Sequence, residues 1–193
     1  MTQTDSRSPA EFRIETDRLI LRDWREDDWP FFFQHTNTPN VMRWLAGVMD
    51  ETTKAEQRSR VEECAALHGH SFWAVARKHD GGHLSGELLG FCGLKRANAP
   101  GSSITGEFEI GWRLREDAWG RGYAREAAEA SLRAGFERFG AEEIFALTVA
   151  GNEASWGLME RLGMRRREEL DYADARYDPP FRDTIVYSIS RQQ

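Results

Sequence analysis

The residues whose types and spacing could do chemistry crowd between Glu107 and Arg125. Phe108, Ile110, Trp112 and Leu114 recur at every second position, which places them on one face of a strand and Glu107, Glu109, Gly111 and Arg113 on the other. Two carboxylates side by side on one face are candidate general bases. Next comes Trp119-Gly120-Arg121-Gly122-Tyr123-Ala124, whose glycines allow backbone angles and a closeness of approach that a side chain forbids. A helix follows. Ala124, Ala127, Ala128, Ser131, Leu132, Gly135, Phe136 and Phe139 form one apolar stripe at helical spacing, Arg125, Glu126, Glu129 and Arg133 take the wet face with Glu129 and Arg133 paired, and Gly140 supplies the stop. The free N–H groups of the first turn and the helix dipole make a seat for an anion, and Arg121 and Arg125 can grip it from the side. The same two glycines would also suit a plain strand-to-helix turn, so they do not settle the matter alone.

These residues need a scaffold to position them. Thr16 to Arg22 reads as a first strand, and Asp27 and Asp28 as caps of a short helix through Trp29 and Phe33. Helical segments are expected from about Asn40 and over Thr53 to His68. Phe72 to Arg77 and Leu88 to Leu94 predict a hairpin around Asp80-Gly81-Gly82, and Ile144 to Val149 a buried strand. Two late strands, at about 165–170 and 184–190, flank an acidic, aromatic connection from Asp171 to Phe181. Alternation of this kind predicts one mixed α/β (α+β) sheet. The aromatics Trp24, Trp29, Phe33 and Trp44 are expected mainly in the core.

Composition narrows the classes. The chain has 193 residues, 40% hydrophobic, with seven Trp and eleven Phe, which suits one folded domain over 12–193 behind a flexible tail at 1–11. The tail lacks the apolar core of a secretory signal, and no apolar run reaches the ~20 residues of a membrane span, so a cytoplasmic protein is expected. Net charge is −6 with basic residues dispersed, which argues against nucleic acid as partner. Cys64 and Cys92 are far apart and expected reduced; the histidines lack a second ligand cluster, so no metal is expected.

Three phosphate-holding patterns compete for the glycine turn. A mononucleotide loop needs Gly-Lys-Ser/Thr, which occurs nowhere in the chain. A dinucleotide turn needs a glycine where Arg125 stands and an acid ending the next strand, whereas Glu142 and Glu143 precede that strand. The third pattern is an acyl-coenzyme A pyrophosphate loop. Here the residues resemble the GNAT superfamily of N-acetyltransferases: Gly122 and Ala124 match the last two fixed positions of its [Q/R]-x-x-G-x-[G/A] signature, while Trp119 takes the first and removes the usual amide or guanidinium. Glu109-Ile110-Gly111-Trp112 with Trp119 to Ala127, and Asn152-Glu153-Ala154-Ser155 with Met159 to Met164, resemble the branch that includes ribosomal-protein N-terminal acetyltransferases.

The resemblance runs from about Phe12 to the end of the chain. It implies a single GNAT-type domain with a mixed, mostly antiparallel sheet of about seven strands flanked by helices, the early ones walling an acceptor cleft. It also implies acetyl-CoA as cosubstrate, no metal, and a primary amine, on a protein N-terminus or a small molecule, as acceptor. The coenzyme contacts it implies fall on Trp112, Leu114, Trp119, Gly120, Arg121, Gly122, Tyr123, Ala124, Arg125, Asn152 and Ser155, with the backbone around Trp112 to Leu114 pairing the pantetheine arm like an added strand. Transfer needs a neutral amine, a polarised carbonyl and support for the leaving thiolate. Glu109, just before the glycine where the family bends its strand, is the candidate base, and Glu107 the second choice. The family's tyrosine acid would fall at Met159, which has no proton to give, leaving Ser155 as the alternative or as a mere helix cap. A non-catalytic acyl-CoA-binding sensor is the alternative function, and both a monomer and a homodimer are open.

Overall fold

The structure is a computed structural model and describes residues 11–191; the proposed tail lies almost wholly outside the described residues. One nine-stranded sheet runs through it in the order β1 (Arg13–Glu15), β2 (Leu19–Arg22), β3 (Phe72–Arg77), β4 (Leu88–Arg96), β5 (Phe108–Leu114), β6 (Glu143–Val149), β9 (Asp183–Ser190) and β7 (Arg165–Arg166), with β8 (Tyr172–Ala173) also on β9. Every pairing is antiparallel except β5 with β6. The count exceeds the seven strands expected for two local reasons. Thr16 to Arg18 breaks the first strand into a hairpin, with the Thr16 N–H donating to the Leu19 carbonyl, and the acidic connection contributes β8.

Among the described residues, five α-helices accompany the sheet: α1 (Asp28–Thr36), α2 (Pro39–Met42), α3 (Glu51–His68), α4 (Tyr123–Glu137) and α5 (Glu153–Arg161). α3 starts two residues before the sequence suggests, because the Asp50 carboxylate accepts the Thr53 N–H at 2.8 Å and caps it, and Gly69 in the left-handed region ends it. Asp27 and Asp28 give α1 no side-chain cap. The Asp28 carboxylate instead pairs with Arg22 at 2.6 and 2.8 Å and accepts the Arg25 N–H. Burial alone would raise this carboxyl; those bonds outweigh it and hold the group below the usual range.

α4 lays its small-residue stripe on one face of β4 and β5. Gly135 is needed there, since a Cβ would stand 2.6 Å from Ile144 Cδ1. On its wet face Glu129 pairs with Arg125 at 2.8 Å and not with Arg133, the reverse of the pairing the spacing suggested. The other sheet face is covered by α1 and an aromatic cluster in which Trp24 stacks on Trp29 at 4.0 Å and both meet Phe32 edge-on. Trp24, Trp29 and Phe33 are therefore packing residues, as expected. Trp44 lies elsewhere.

Candidate active site

β5 and β6 pair only at Phe108, Glu109 and Ile110, against Ile144, Phe145 and Ala146. Beyond Ile110 the two parallel strands separate: Gly111 to Leu114 keep β4 on one side, while β6 runs on beside β9 as far as Val149. The split leaves an edge of β5 without a strand partner among the described residues, and unpaired backbone groups of that kind accept an extended chain as an added strand. Both strands end on the side where α4 and α5 begin, so two helix N-termini flank the same opening. The split takes the place of the strand bend expected at Gly111, across which the register with β4 is unbroken. Glycine is needed there for packing, because a Cβ would stand 2.8 Å from the Phe72 ring.

The turn before α4 leaves its backbone donors open. Gly120 and Gly122 have φ of 69° and 78°, and Gly122 is the N-cap with no side chain closing the helix end. Among the described residues nothing accepts from the N–H groups of Gly120, Arg121 or Gly122. Glu126, the only acid in the first turn, is turned away from the opening. It accepts from Thr16 Oγ1 at 2.6 Å, from the Arg18 N–H at 2.8 Å and from Arg18 Nε at 2.7 Å. Burial would raise its carboxyl, but these three bonds hold it below the usual range, so its negative charge is spent on the β1–β2 turn. Arg18 also donates to the Arg121 carbonyl at 3.0 Å, fixing the turn from outside.

The side chains expected at the coenzyme divide. Arg121 is exposed and forms no ion pair among the described residues, whereas Arg125 is tied to Glu129. Tyr123 is buried with its hydroxyl on the His83 carbonyl, so it and Ala124 offer only backbone to the opening. Trp119 is 47% exposed, and its indole N–H donates to the Leu114 carbonyl at 2.9 Å. That bond braces the turn against the end of β5 and occupies the donor that a phosphate would otherwise use. Trp112 is half-buried on the α4 side of β5, beyond the split.

Glu109 lies one residue below the vertex of the split and is 9% exposed. Lys95, directly across on β4, brings its ammonium 2.8 Å from Oε2 but out of hydrogen-bonding alignment. Tyr172 is close enough to feel this carboxylate: burial first, and the Glu109 charge among lesser causes, push its hydroxyl up to about 12. Glu107 is not its neighbour on the strand. β5 begins at Phe108, and Glu107 stays exposed at the end away from the split.

Asn152 is the N-cap position of α5 without capping it; its Nδ2 donates to Thr148 Oγ1 at 3.0 Å. Ser155 is three residues further into α5, half-buried, with its N–H on the Asn152 carbonyl at 3.0 Å. Met159, where the tyrosine acid would stand, is 1% exposed in the core. Cys92 is buried and its thiol is pushed up to about 12, which removes it as a nucleophile. No group of three His, Cys, Asp or Glu that could hold a metal occurs among the described residues.

The segment that holds α2, where the sequence predicts a helix from about Asn40, bridges the opening. Residues 38–48 form a strap pinned at its neck by Asn37, whose side chain exchanges two hydrogen bonds with the Met49 backbone at 2.8 and 2.9 Å. The strap touches both lips of the split: Asn40 Nδ2 donates to Glu116 at 2.9 Å before α4, and the Trp44 ring lies where a Cβ on Gly151 would stand, 2.6 Å away. The acidic connection has two of its carboxylates paired and leaves Asp178 exposed. Asp171 pairs with Arg166, and the buried Asp174 with Arg176.

Residues 18–165 match the acetyltransferase (GNAT) domain. YkkB of Bacillus subtilis is 31% identical over 156 residues, covering 80% of this chain and 86% of that protein. A protein of Aspergillus fumigatus named FsC-acetyl coenzyme A-N(2)-transacetylase is 27% identical over 194 residues, covering 95% of this chain and 78% of its own length. The ribosomal-protein-S5-alanine acetyltransferase of Vibrio fischeri superposes with a TM-score of 0.71 at 16% identity, over 94% of this chain and 98% of that one, and shares the fold. No helix among the described residues is long and apolar enough to cross a membrane. The opening between β5 and β6, the unpaired turn before α4 and this match agree: the chain belongs to the GNAT family and is an acetyl-CoA-dependent N-acetyltransferase.

Proposed function

We propose that the chain moves an acetyl group from acetyl-CoA to a primary amine, on a small molecule or a protein N-terminus, by direct attack within a ternary complex at the β5–β6 split. The observation that carries this reading is the coincidence of the unpaired β5 edge, the open N–H groups at Gly120 to Gly122, and Glu109 one residue below the vertex. In this arrangement the pyrophosphate sits over the first turn of α4 with Arg121 beside it, and the pantetheine arm lies along Gly111 to Leu114.

Glu109, directly or through a water, takes the proton from the incoming ammonium. The freed nitrogen lone pair forms the C–N bond at the thioester carbonyl, the C–S bond breaks toward coenzyme A, and the nitrogen's surplus proton passes to the departing thiolate to give the free thiol. Ser155 donates a hydrogen bond to the departing sulfur, and Asn152 holds the pantetheine amides. A covalent acetyl-enzyme is not needed, and the one cysteine near the sheet centre is shut in the core. The test is thiol release from acetyl-CoA in the wild type and in Glu109→Gln, with coenzyme affinity measured by calorimetry. Turnover should fall roughly 10²- to 10⁴-fold while affinity stays unchanged. An unimpaired Glu109→Gln enzyme rules out this base.

A further inference from the structure

Arg113 stands on β5 two residues past Gly111, on the same strand face as Glu109, and is 6% exposed. Its surroundings are apolar. The Phe32 and Phe91 rings lie 4.7 and 5.2 Å from the guanidinium carbon, and Nη1 donates to the Met42 thioether at 3.1 Å. Nε and Nη2 have no acceptor among the described residues. Other buried arginines are treated differently: Arg22 pairs with Asp28, Arg77 with Asp80, and Arg115 with Glu87 and Asp117. Burial pushes the Arg113 guanidinium down to about 9, so it still carries its charge at neutral pH. A buried cation without a counter-charge is strongly unfavourable, and it persists where something else in the working cycle supplies the anion.

The two idle nitrogens identify that anion. Nε and Nη2 share one edge of the guanidinium plane, the edge that grips both oxygens of a carboxylate. A single cation between two aromatic rings suits a monoanion better than a phosphate, which would carry about two charges into an apolar slot. Met42 of the strap accepts from the third nitrogen, Nη1, so the strap lies against the guanidinium next to its idle edge, and lifting it uncovers the group beside the split.

We propose that Arg113 binds a carboxylate on the acceptor, so that the preferred substrates are small amines that also carry a carboxylate: amino acids, ω-amino acids or short peptides. The proposal rests on the acetyltransferase reading above. Polyamines are disfavoured, since they would set a second cation against Arg113, and two of the acidic connection's carboxylates, Asp171 and Asp174, are already paired with Arg166 and Arg176. The Cα atoms of Glu109 and Arg113 lie roughly 13 Å apart along the strand, so acceptors of several lengths are worth comparing.

The experiment measures thiol release with alanine, γ-aminobutyrate, Ala-Ala and Gly-Gly-Gly, each against its C-terminal amide, and with spermidine. At least one acid should exceed its amide by roughly tenfold or more in kcat/KM. Arg113→Met should bring that ratio close to one, and Arg113→Lys should keep part of it. Amides or spermidine used as well as the acids, or a preference that survives in Arg113→Met, overturns the proposal. Turnover of any acceptor, acid or not, upholds the transferase reading independently. If none is turned over, the melting temperature of the CoA-bound protein decides: acids raising it above their amides in the wild type but not in Arg113→Met support the site, and no difference overturns it.

Discussion

The turn that opens α4 and the strap over the split face the same site from opposite sides, and they are held in opposite ways. The turn is fixed from behind by three bonds to Glu126, by Arg18 on the Arg121 carbonyl, and by the Trp119 indole on Leu114, and the helix it starts buries a continuous stripe. The strap has its neck at Asn37, one hydrogen bond to Glu116, one ring on Gly151 and the buried Met42, whose thioether accepts from Arg113. It leaves Leu45 and Val48 about half exposed and holds Ala46 at a φ of 65°. One side is preformed before any ligand arrives. The other rests on few contacts, as segments that open and close must. Under the proposed function, the coenzyme takes the firmly held side and the acceptor the loosely held one.

Breaking the fixed seat should have the larger effect on binding. Gly122→Val puts a β-branched residue at a φ of 78°, which such residues avoid, so the turn rearranges and its N–H groups no longer converge. Losing two hydrogen bonds to charged phosphate oxygens, at about 1.5–3 kcal/mol each, predicts acetyl-CoA affinity down by roughly 10²-fold or more. Calorimetric titration checks it; an affinity within threefold of wild type would mean that the coenzyme is held elsewhere. Trp44→Ala removes the strap's contact with the β6 lip. Acceptor kcat/KM should fall by about 5- to 30-fold, equivalent to 1–2 kcal/mol, with acetyl-CoA affinity unchanged. A matching loss of coenzyme affinity would erase the distinction between the two halves.

The same contrast explains what the sequence could disclose. The α4 stripe, the glycine turn and the central strands are encoded by local periods and by backbone needs at single residues, and they stand where periodicity puts them. The strap is not, because its anchors join residues far apart: Asn40 with Glu116, and Trp44 with Gly151. Arg113 illustrates the difficulty. Alternation places it on a polar strand face, but β5 is central and both faces are covered, so a residue that reads as solvated is enclosed by Phe32 and Met42. Glu126 fails for a related reason, since helical period assigns it to water while its partners come from a hairpin more than a hundred residues earlier. Glu107 shows the limit of counting by twos, because the strand starts one residue too late to include it.

Glu126 also provides the finest test of how firmly the seat is held. Its side chain is 17% exposed and its carboxyl is held below the usual range, so folding favours the ionised form. Glu126→Gln keeps an acceptor oxygen but loses the charge, which predicts a loss of about 1–2 kcal/mol, or roughly 2–8 °C in melting temperature for a chain of this size. The sign with pH follows from linkage. A depressed carboxyl contributes its full stabilisation above the unfolded glutamate value of about 4.3 and loses it as pH falls through the lower folded value. Melting curves of the two proteins should therefore differ by a constant amount from about pH 8 to 5 and converge below about pH 4. Curves that stay parallel into acid would show that the charge of Glu126 does not stabilise the fold, and that the β1–β2 turn holds α4 by its neutral contacts alone.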